Sequence, residues 1–230
     1  YDRRSPFLAY VSLMAPHDPR TMPKRYRELY APEEISLPAN FQPEHRIDTG
    51  DLRVRDELLA AFPRQPHEIQ RHIAEYYAMI SHLDNALGRL LNRLSDQRLL
   101  DDTIIVFSAD NGLAVGQHGL MGKQSLYDHS VRVPLIFAGP GVPQGQQNNG
   151  LVYLLDIFPT LCDLCGVETP ESVEGVNMAE GIQNPAVGGR DWLYLAYGKS
   201  IRGVTNGAHK LIEYSAGGER ATQLFDLCAD

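Results

Sequence analysis

The sequence lacks several features that would assign it quickly to a functional class. It has only three cysteines, an odd number that argues against a disulfide framework. No apolar run is long enough for a membrane-spanning helix, and no secretory signal of basic, apolar and small residues opens the chain. Lys and Arg total 21 against 29 Asp and Glu, a net charge of −8, which argues against a nucleic-acid partner because nucleic acids select basic surfaces.

The sequence also has no internal repeat and no low-complexity segment, and 43% of its 230 residues are hydrophobic. Such a chain can bury a sizeable core, enough for one α/β domain or for one domain with an appendage. Cys162 and Cys165 have CxxC spacing but lie on an apolar helical pattern, without a second CxxC or a nearby pair of histidines. We expect buried free thiols there rather than a zinc or redox site.

The most informative stretch is an apolar run at residues 103–107 that leads directly into polar residues. Its β-branched and apolar side chains predict a strand that is covered on both faces. Asp110, Asn111 and Gly112 follow this run, and ligands bind beyond the carboxyl ends of strands in open α/β sheets. Carboxylate and amide oxygens are hard ligands that suit Ca²⁺ or Mg²⁺. The pattern therefore predicts a metal site at Asp110 and Asn111.

Two further segments carry candidate functional side chains. A glycine-rich loop at residues 116–123 carries His118 and Lys123. Near the start of the chain, the apolar run Phe7–Leu13 predicts another buried strand, which the prolines on either side of His17 bring to an end. His17 would then project from the end of a strand, the alternative being a histidine on a surface loop.

Periodicity and turn residues indicate the remaining elements. Residues 67–100 predict a long helix because apolar side chains recur every three or four positions. The polar, proline-rich residues 20–66 read as a long excursion and a candidate wall of a substrate pocket. After residue 190, short apolar runs separated by Asn206-Gly207 and Gly217-Gly218 predict a small antiparallel sheet.

Together these elements predict an α/β fold, with part of a mainly parallel sheet flanked by helices and a small C-terminal antiparallel sheet. The expected organisation is an α/β core at residues 1–170 and an antiparallel subdomain at residues 190–230. Residues 171–189, which carry Gly, Pro and Glu, are expected to link the two.

Several short motifs, taken together and in chain order, resemble the sulfatase family of the alkaline phosphatase-like superfamily. The motifs are Ala15-Pro16-His17-Asp18-Pro19, Ser108-Ala109-Asp110-Asn111-Gly112, Gly116-Gln117-His118-Gly119 with Lys123, residues 127–136, residues 156–161, residues 209–212 and residues 224–227. They extend over nearly the whole chain, so the set is specific although each motif alone is weak. The resemblance implies an alkaline phosphatase-like fold and hydrolysis of a sulfate ester, carried by a sulfated small molecule or sugar.

The resemblance also implies roles for five residues. Asp110 and Asn111 match the family's metal-ligating pair, which usually holds Ca²⁺, with Mg²⁺ less expected. His17 and Lys123 match two residues that contact the sulfate and the leaving-group oxygen. His118 falls in the family's loop beside the pocket and is a candidate substrate contact.

The sequence departs from the family pattern at the nucleophile. Family members attack sulfate with a formylglycine made from Cys or Ser in a Cys/Ser-x-Pro-x-Arg motif, which this sequence does not contain. The acidic pair that completes the family's metal site is absent as well. We expect both to lie upstream, which would make this chain the C-terminal portion of a sulfatase domain and inactive by itself.

Two other functions stay open on the sequence alone. A phosphodiesterase or phosphonate hydrolase of the same superfamily shares the framework of metal carboxylates and histidine. A non-catalytic module that has kept the fold would account for the missing nucleophile motif. The sequence also leaves open which sulfate ester is bound, the compartment, the oligomeric state, and whether His17 is a general acid or a sulfate ligand.

Overall fold

A computed structural model describes residues 5–229, which fold as two compact units. One unit combines the described part of Tyr1–Leu37 with Pro66–Arg93, and the other combines Pro38–Gln65 with Leu94–Asp230. The helices are α1 Lys24–Arg27, α2 Pro66–Asp96, α3 Asp128–Val131, α4 Ile157–Leu164 and α5 Ala179–Gln183. The strands are β1 Ile105–Ser108, β2 Leu135–Ala138, β3 Leu193–Tyr197, β4 Ile201–Thr205, β5 His209–Ala216 and β6 Glu219–Asp226. Five 3₁₀ turns lie at Pro32–Glu34, Asp51–Arg53, Glu57–Leu59, Leu100–Asp102 and Leu154–Asp156.

Helix α2 confirms the predicted long helix, and its residues Pro66–Arg93 belong to the first unit. It begins at Pro66, where a proline needs no amide partner, and ends at Asp96, four residues before the predicted end. Its buried side chains are confined to the first half, from Ile69 to Met79. There the helix holds the preceding loops: Gln70 Nε2 donates to the carbonyl oxygen of Ile35 at 2.8 Å.

The strand predicted at Phe7–Leu13 is not present in the structure. Leu8 and Tyr10 are 92% and 93% exposed in this run, and none of its residues lies in a strand. An apolar run becomes a strand only where a second strand completes its hydrogen-bond ladder. Among residues 5–229 no strand pairs with Phe7–Leu13, so the local pattern predicted the wrong structure.

The first sheet of the second unit consists of β1 and β2, which pair antiparallel from Ile105 opposite Ala138 to Ser108 opposite Leu135. The prediction of mainly parallel strands is therefore wrong for this pair. Parallel neighbours need a long crossover, usually a helix. Here loops and the single turn of α3 connect β1 to β2, and the chain returns in the opposite direction.

The predicted C-terminal antiparallel sheet is confirmed, with the strand order β3-β4-β5-β6. Gly207, Gly217 and Gly218 lie in its turns with positive φ, as the turn residues predicted. One face of the sheet belongs to a buried cluster that also includes residues following β1. Its members are Ala114, Leu120, Leu126, Tyr127, Ile201, Ile212 and Tyr214. The sheet therefore supports the glycine-rich loop from within the same unit.

Asp156 anchors the segment predicted as a linker. The side chain is fully buried and accepts hydrogen bonds from the amides of Tyr153 and Val176, both at 2.7 Å, and from Arg190 Nη2 at 2.8 Å. Residues 171–189 include α5. The domain boundaries proposed from the sequence stay a prediction.

The three cysteines are free, as predicted, and Cys162 is buried. Cys165 and Cys228 are exposed, so the expectation of a buried thiol is wrong for Cys165. It lies just after the end of α4, whose buried residues include Cys162. Within residues 5–229, none of the helices combines the length and the apolar character that a bilayer span requires.

Candidate active site

Asp110 and Asn111 lie just beyond the end of β1, as the sequence predicted, and both are exposed. Gly112 presses this turn against α3: its amide donates to the carbonyl oxygen of Ser130 at 2.9 Å. A Cβ at position 112 would lie 2.1 Å from the carbonyl oxygen of His129, so only glycine permits this approach.

The side chains of Asp110 and Asn111 offer one carboxylate and one amide oxygen, the hard donors that Ca²⁺ prefers. Among residues 5–229, no group of three or more His, Cys, Asp or Glu side chains is arranged to hold a metal ion.

Residues 116–123, here called the lysine loop, are folded back on the segment that follows Asn111. The amide of Ala114 donates to the carbonyl oxygen of Gly122 at 2.7 Å. Gly119 adopts φ +77°, and a Cβ there would lie 2.5 Å from the carbonyl carbon of Glu44. The Ala114–Gly122 hydrogen bond therefore ties the residue just before Lys123 to the segment that follows Asn111.

Lys123 is held by side chains on both of its flanks. Its Nζ lies 3.4 Å from Asp56 Oδ2, and its amide donates to Gln124 Oε1 at 2.9 Å. Gln124 Nε2 in turn donates to Asp56 Oδ2 at 3.2 Å. Burial alone would raise the pKa of Asp56, but hydrogen bonds from Arg55 and Gln124 and the charge of Lys123 outweigh it and lower the pKa to about 2. Asp56 is therefore an anion at neutral pH and restrains the ammonium group.

The ring of His118 is packed within a cluster of aromatic and imidazole rings. It stacks on Tyr127 with ring centroids 4.0 Å apart, and Asn40 Nδ2 lies 3.1 Å from its Nε2. His45 Nδ1 donates to the backbone oxygen of His118 at 2.9 Å. Burial, with a smaller contribution from His45, lowers the pKa of His118, which favours a neutral ring at pH 7. A substrate contact through His118 stays a prediction.

His129 is the most strongly perturbed histidine of the same cluster. Its Nδ1 lies 2.9 Å from Ser130 Oγ, whereas its Nε2 is buried without a hydrogen-bond partner among the described residues. Burial lowers its pKa to about 3, helped by the nearby His118 and Lys210 and opposed by Asp128. Sequence reasoning did not identify this residue.

His17 lies in the first compact unit, whereas the other four predicted site residues lie in the second. Its Nδ1 is 2.8 Å from the backbone oxygen of Asp18 and 3.2 Å from Asp18 Oδ1. These contacts fix the orientation of the ring locally. The predicted meeting of His17 with Lys123 at one sulfuryl group stays a prediction.

Besides His129, the structure adds three residues that sequence reasoning missed, and these lie in the polar excursion before α2. Asp56 contacts Lys123, and the adjacent Glu57 forms a buried ion pair with Arg64. Charged side chains are usually exposed, and nothing in the local pattern marks these three as buried. The sequence predicted the excursion as a candidate wall of a substrate pocket, but it did not indicate which residues of the excursion contact the lysine loop.

A family model described as sulfatase matches residues 2–167. The chain belongs to the sulfatase family. A second model, for the C-terminal region of N-sulphoglucosamine sulphohydrolase, matches residues 116–230 of the sulfatase chain. The resemblance inferred from the motifs is confirmed.

Relatives and solved structures agree with this membership. Iduronate 2-sulfatase of Homo sapiens is 34% identical over 203 residues, which cover 72% of this chain and 37% of that protein. A solved complex with its substrate D-glucosamine-2-N,6-O-disulfate is 28% identical with a TM-score of 0.65, covering 79% of this chain and 37% of that chain. The phosphonate monoester hydrolase of Agrobacterium radiobacter has a TM-score of 0.82 at 22% identity, covering 100% of this chain and 52% of that chain.

The sulfatase chain spans less than half the length of the curated relatives it matches. The phosphonate hydrolase, at 22% identity, is informative about the fold alone. The predicted fold class, alkaline phosphatase-like α/β with a small C-terminal antiparallel sheet, is confirmed.

Proposed function

We propose that this chain supplies the metal-binding and cationic side of the active site of a sulfuric ester hydrolase. The nucleophile would be a formylglycine that lies outside this sequence. The observation that carries the proposal is the folded segment from Asp110 to Lys123, in which a turn rich in oxygen donors and a restrained ammonium group are tied by the Ala114–Gly122 hydrogen bond. Membership of the sulfatase family supports the reaction class.

The chemistry explains why these residue types suit sulfate esters. The ester is anionic, and further negative charge gathers on the sulfuryl oxygens and the leaving oxygen as the S–O bond breaks. Lys123 would place a compact positive charge at one of these oxygens, a contribution worth about 3–4 kcal/mol where a preorganised donor is lost. His17 would bind the sulfate or donate a proton to the leaving oxygen, which contributes roughly 10²–10⁴-fold.

Asp110 and Asn111 would hold Ca²⁺, with Mg²⁺ less favoured, and the ion when bound would polarise a sulfuryl oxygen as a Lewis acid. Their carboxylate and amide oxygens fit a hard cation, and their exposed position leaves room for further ligands. Ca²⁺ takes about six to eight oxygen ligands, so this pair alone should bind it weakly.

The substrate class that the proposal favours is a sulfated sugar, with other sulfated small molecules as the wider class. Two similar proteins support this substrate class: one is an iduronate 2-sulfatase, and another was solved with a disulfated glucosamine. His118 is the proposed substrate contact of the lysine loop. Because its ring stacks on Tyr127, it would offer an edge to the substrate rather than a face.

The test uses the complete polypeptide that contains this sequence, assayed in parallel with an aryl sulfate and an aryl phosphodiester. Lys123→Ala and His17→Ala should each lower kcat/KM for the sulfate by about 10²-fold or more. The exposed residues Lys199 and His67 provide matched alanine controls, which should remain near the parent value.

Each alternative has its own outcome in this assay. Preferential turnover of the phosphodiester would replace the sulfatase reading with a phosphodiesterase or phosphonate hydrolase. Binding of Ca²⁺ without turnover of either ester would favour a non-catalytic module. Parent-level activity of Lys123→Ala would remove the lysine loop from the mechanism.

A further inference from the structure

A buried ion pair between Glu57 and Arg64 contacts the lysine loop. The two residues are only 2% and 1% exposed, and Arg64 Nη2 donates to Glu57 Oε2 at 2.5 Å. Arg64 Nη1 also donates to the backbone oxygens of Glu57, at 2.7 Å, and of Ala60. Taking two charges out of water costs several kcal/mol, which attraction repays only when geometry and hydrogen bonding are nearly complete. The position of this pair is therefore tightly constrained.

Both oxygens of the Glu57 carboxylate accept hydrogen bonds from the lysine loop. Oε2 accepts from the amide of Met121 at 2.9 Å, and Oε1 accepts from the amide of Gly122 at 2.8 Å. Arg64 Nε donates to the carbonyl oxygen of Gly119 at 3.1 Å. The ion pair thus holds three backbone groups of the loop, including the two amides immediately before Lys123.

The adjacent carboxylate, Asp56, restrains the Lys123 ammonium through the contact already described. The two neighbouring acids therefore act on different groups: Glu57 fixes the loop backbone and Asp56 fixes the Lys123 side chain. The packing leaves little freedom: a Cβ at Gly122 would lie 2.4 Å from Gln124 Oε1 and 2.9 Å from Glu57 Oε1.

A loop that only covers a surface does not need a buried carboxylate. Water or a neutral side chain satisfies backbone amides at a smaller desolvation cost. We propose that Glu57, supported by Arg64, is a positioning residue that fixes the lysine loop so that Lys123 meets the sulfuryl group in reacting geometry, with Asp56 restraining the ammonium. The inference rests on the proposed function, because it assumes that Lys123 acts in catalysis.

The test is a double-mutant cycle between positions 57 and 123 in the complete polypeptide that contains this chain, with an aryl sulfate as the substrate. Glu57→Gln keeps the size of the side chain but turns one acceptor into a donor that faces a backbone amide. Because a small misplacement of a catalytic group lowers the rate strongly, kcat/KM should fall about 10- to 100-fold, mainly through kcat. In a Lys123→Ala background, the same substitution should lower the residual kcat/KM by less than about threefold.

Glu44→Gln is the matched control, because Glu44 is an exposed carboxylate on the same excursion. It should leave kcat/KM within about twofold of the parent in both backgrounds. If Glu57→Gln causes equal losses in the two backgrounds, Glu57 acts on the fold as a whole and the positioning role is overturned. Full activity of Lys123→Ala would instead overturn the proposed function, so the two failures are distinguishable.

Asp56→Asn provides an independent variant if circular dichroism shows that Glu57→Gln does not fold. It removes the counter-ion of Lys123 while the Glu57–Arg64 pair stays intact. We expect kcat to fall about tenfold in the parent and by less than about twofold in the Lys123→Ala background. An unchanged kcat in the parent would contradict the proposed restraint of the ammonium.

Discussion

Acid should destabilise this protein through His129, whose pKa burial lowers from 6.5 to about 3. The unfolded chain binds a proton on this ring near pH 6.5, whereas the folded chain does not until about pH 3. Between these values the unfolded state holds one proton more, so the free energy of unfolding falls as the pH falls. The stabilisation is complete above the unfolded pKa and is lost progressively on acidification.

The magnitude follows from proton linkage. Between the folded and unfolded pKa values, a change of one pH unit changes the free energy of unfolding by about 1.4 kcal/mol per group. Lowering the pH from the unfolded value of 6.5 to about 5 should therefore remove about 2 kcal/mol through His129 alone. Chemical denaturation with urea at about pH 7.5 and about pH 5 measures this difference. His129→Asn removes the titration while keeping an atom that can bond Ser130 Oγ in place of Nδ1.

The variant should show a smaller loss of stability between the two pH values, by about 2 kcal/mol relative to the parent. His45 and His118 also have pKa values lowered by burial, so the parent and the variant share their contribution. The exposed His209 provides the control, since His209→Asn makes the same substitution at a histidine on the surface. Identical pH dependence in the parent and in His129→Asn would refute the reasoning.

Three further predictions concern stability and metal binding. Asp156→Asn should lower the free energy of unfolding by about 3 kcal/mol in urea denaturation, because the half-buried Arg190 loses its charged partner. Gly112→Ala should lower Tm by several degrees in calorimetry, because its Cβ would overlap a backbone oxygen, whereas Gly88→Ala in α2 meets no atom within 4 Å and should be neutral or stabilising. Asp110→Ala should weaken Ca²⁺ binding to the complete polypeptide by about tenfold or more in titration calorimetry, and unchanged affinity would exclude it as a ligand.

The elements that the sequence predicted well are those fixed by local patterns. Helix α2 has an apolar repeat, and β4, β5 and β6 have clear turn residues between them. Such signals depend on neighbours along the chain and need no distant partner. The position of Asp110 and Asn111 just after β1 belongs to the same class, because the end of an apolar run is visible in the sequence.

The elements that were mispredicted depend on distant partners. Phe7–Leu13 has the composition of a strand, but strand formation requires a neighbour that the pattern cannot provide. The direction of β2 depended on the connection to β1, which contains no crossover helix. In the candidate site, the contact from Glu57 to Met121 spans 64 residues, and no spacing rule links the two. Buried charged partners of this kind are decided by the tertiary fold.

The contacts of the Glu57–Arg64 pair also have a consequence for chimeric enzymes. An exchange of the lysine loop between related sulfatases would transfer amides whose acceptors lie in a different part of the chain. Unless residues 56–64 are exchanged together with the loop, the recipient presents mismatched groups beneath the transplanted backbone. Libraries that recombine these two segments as one inherited block should therefore yield more folded, active members than libraries that shuffle them independently.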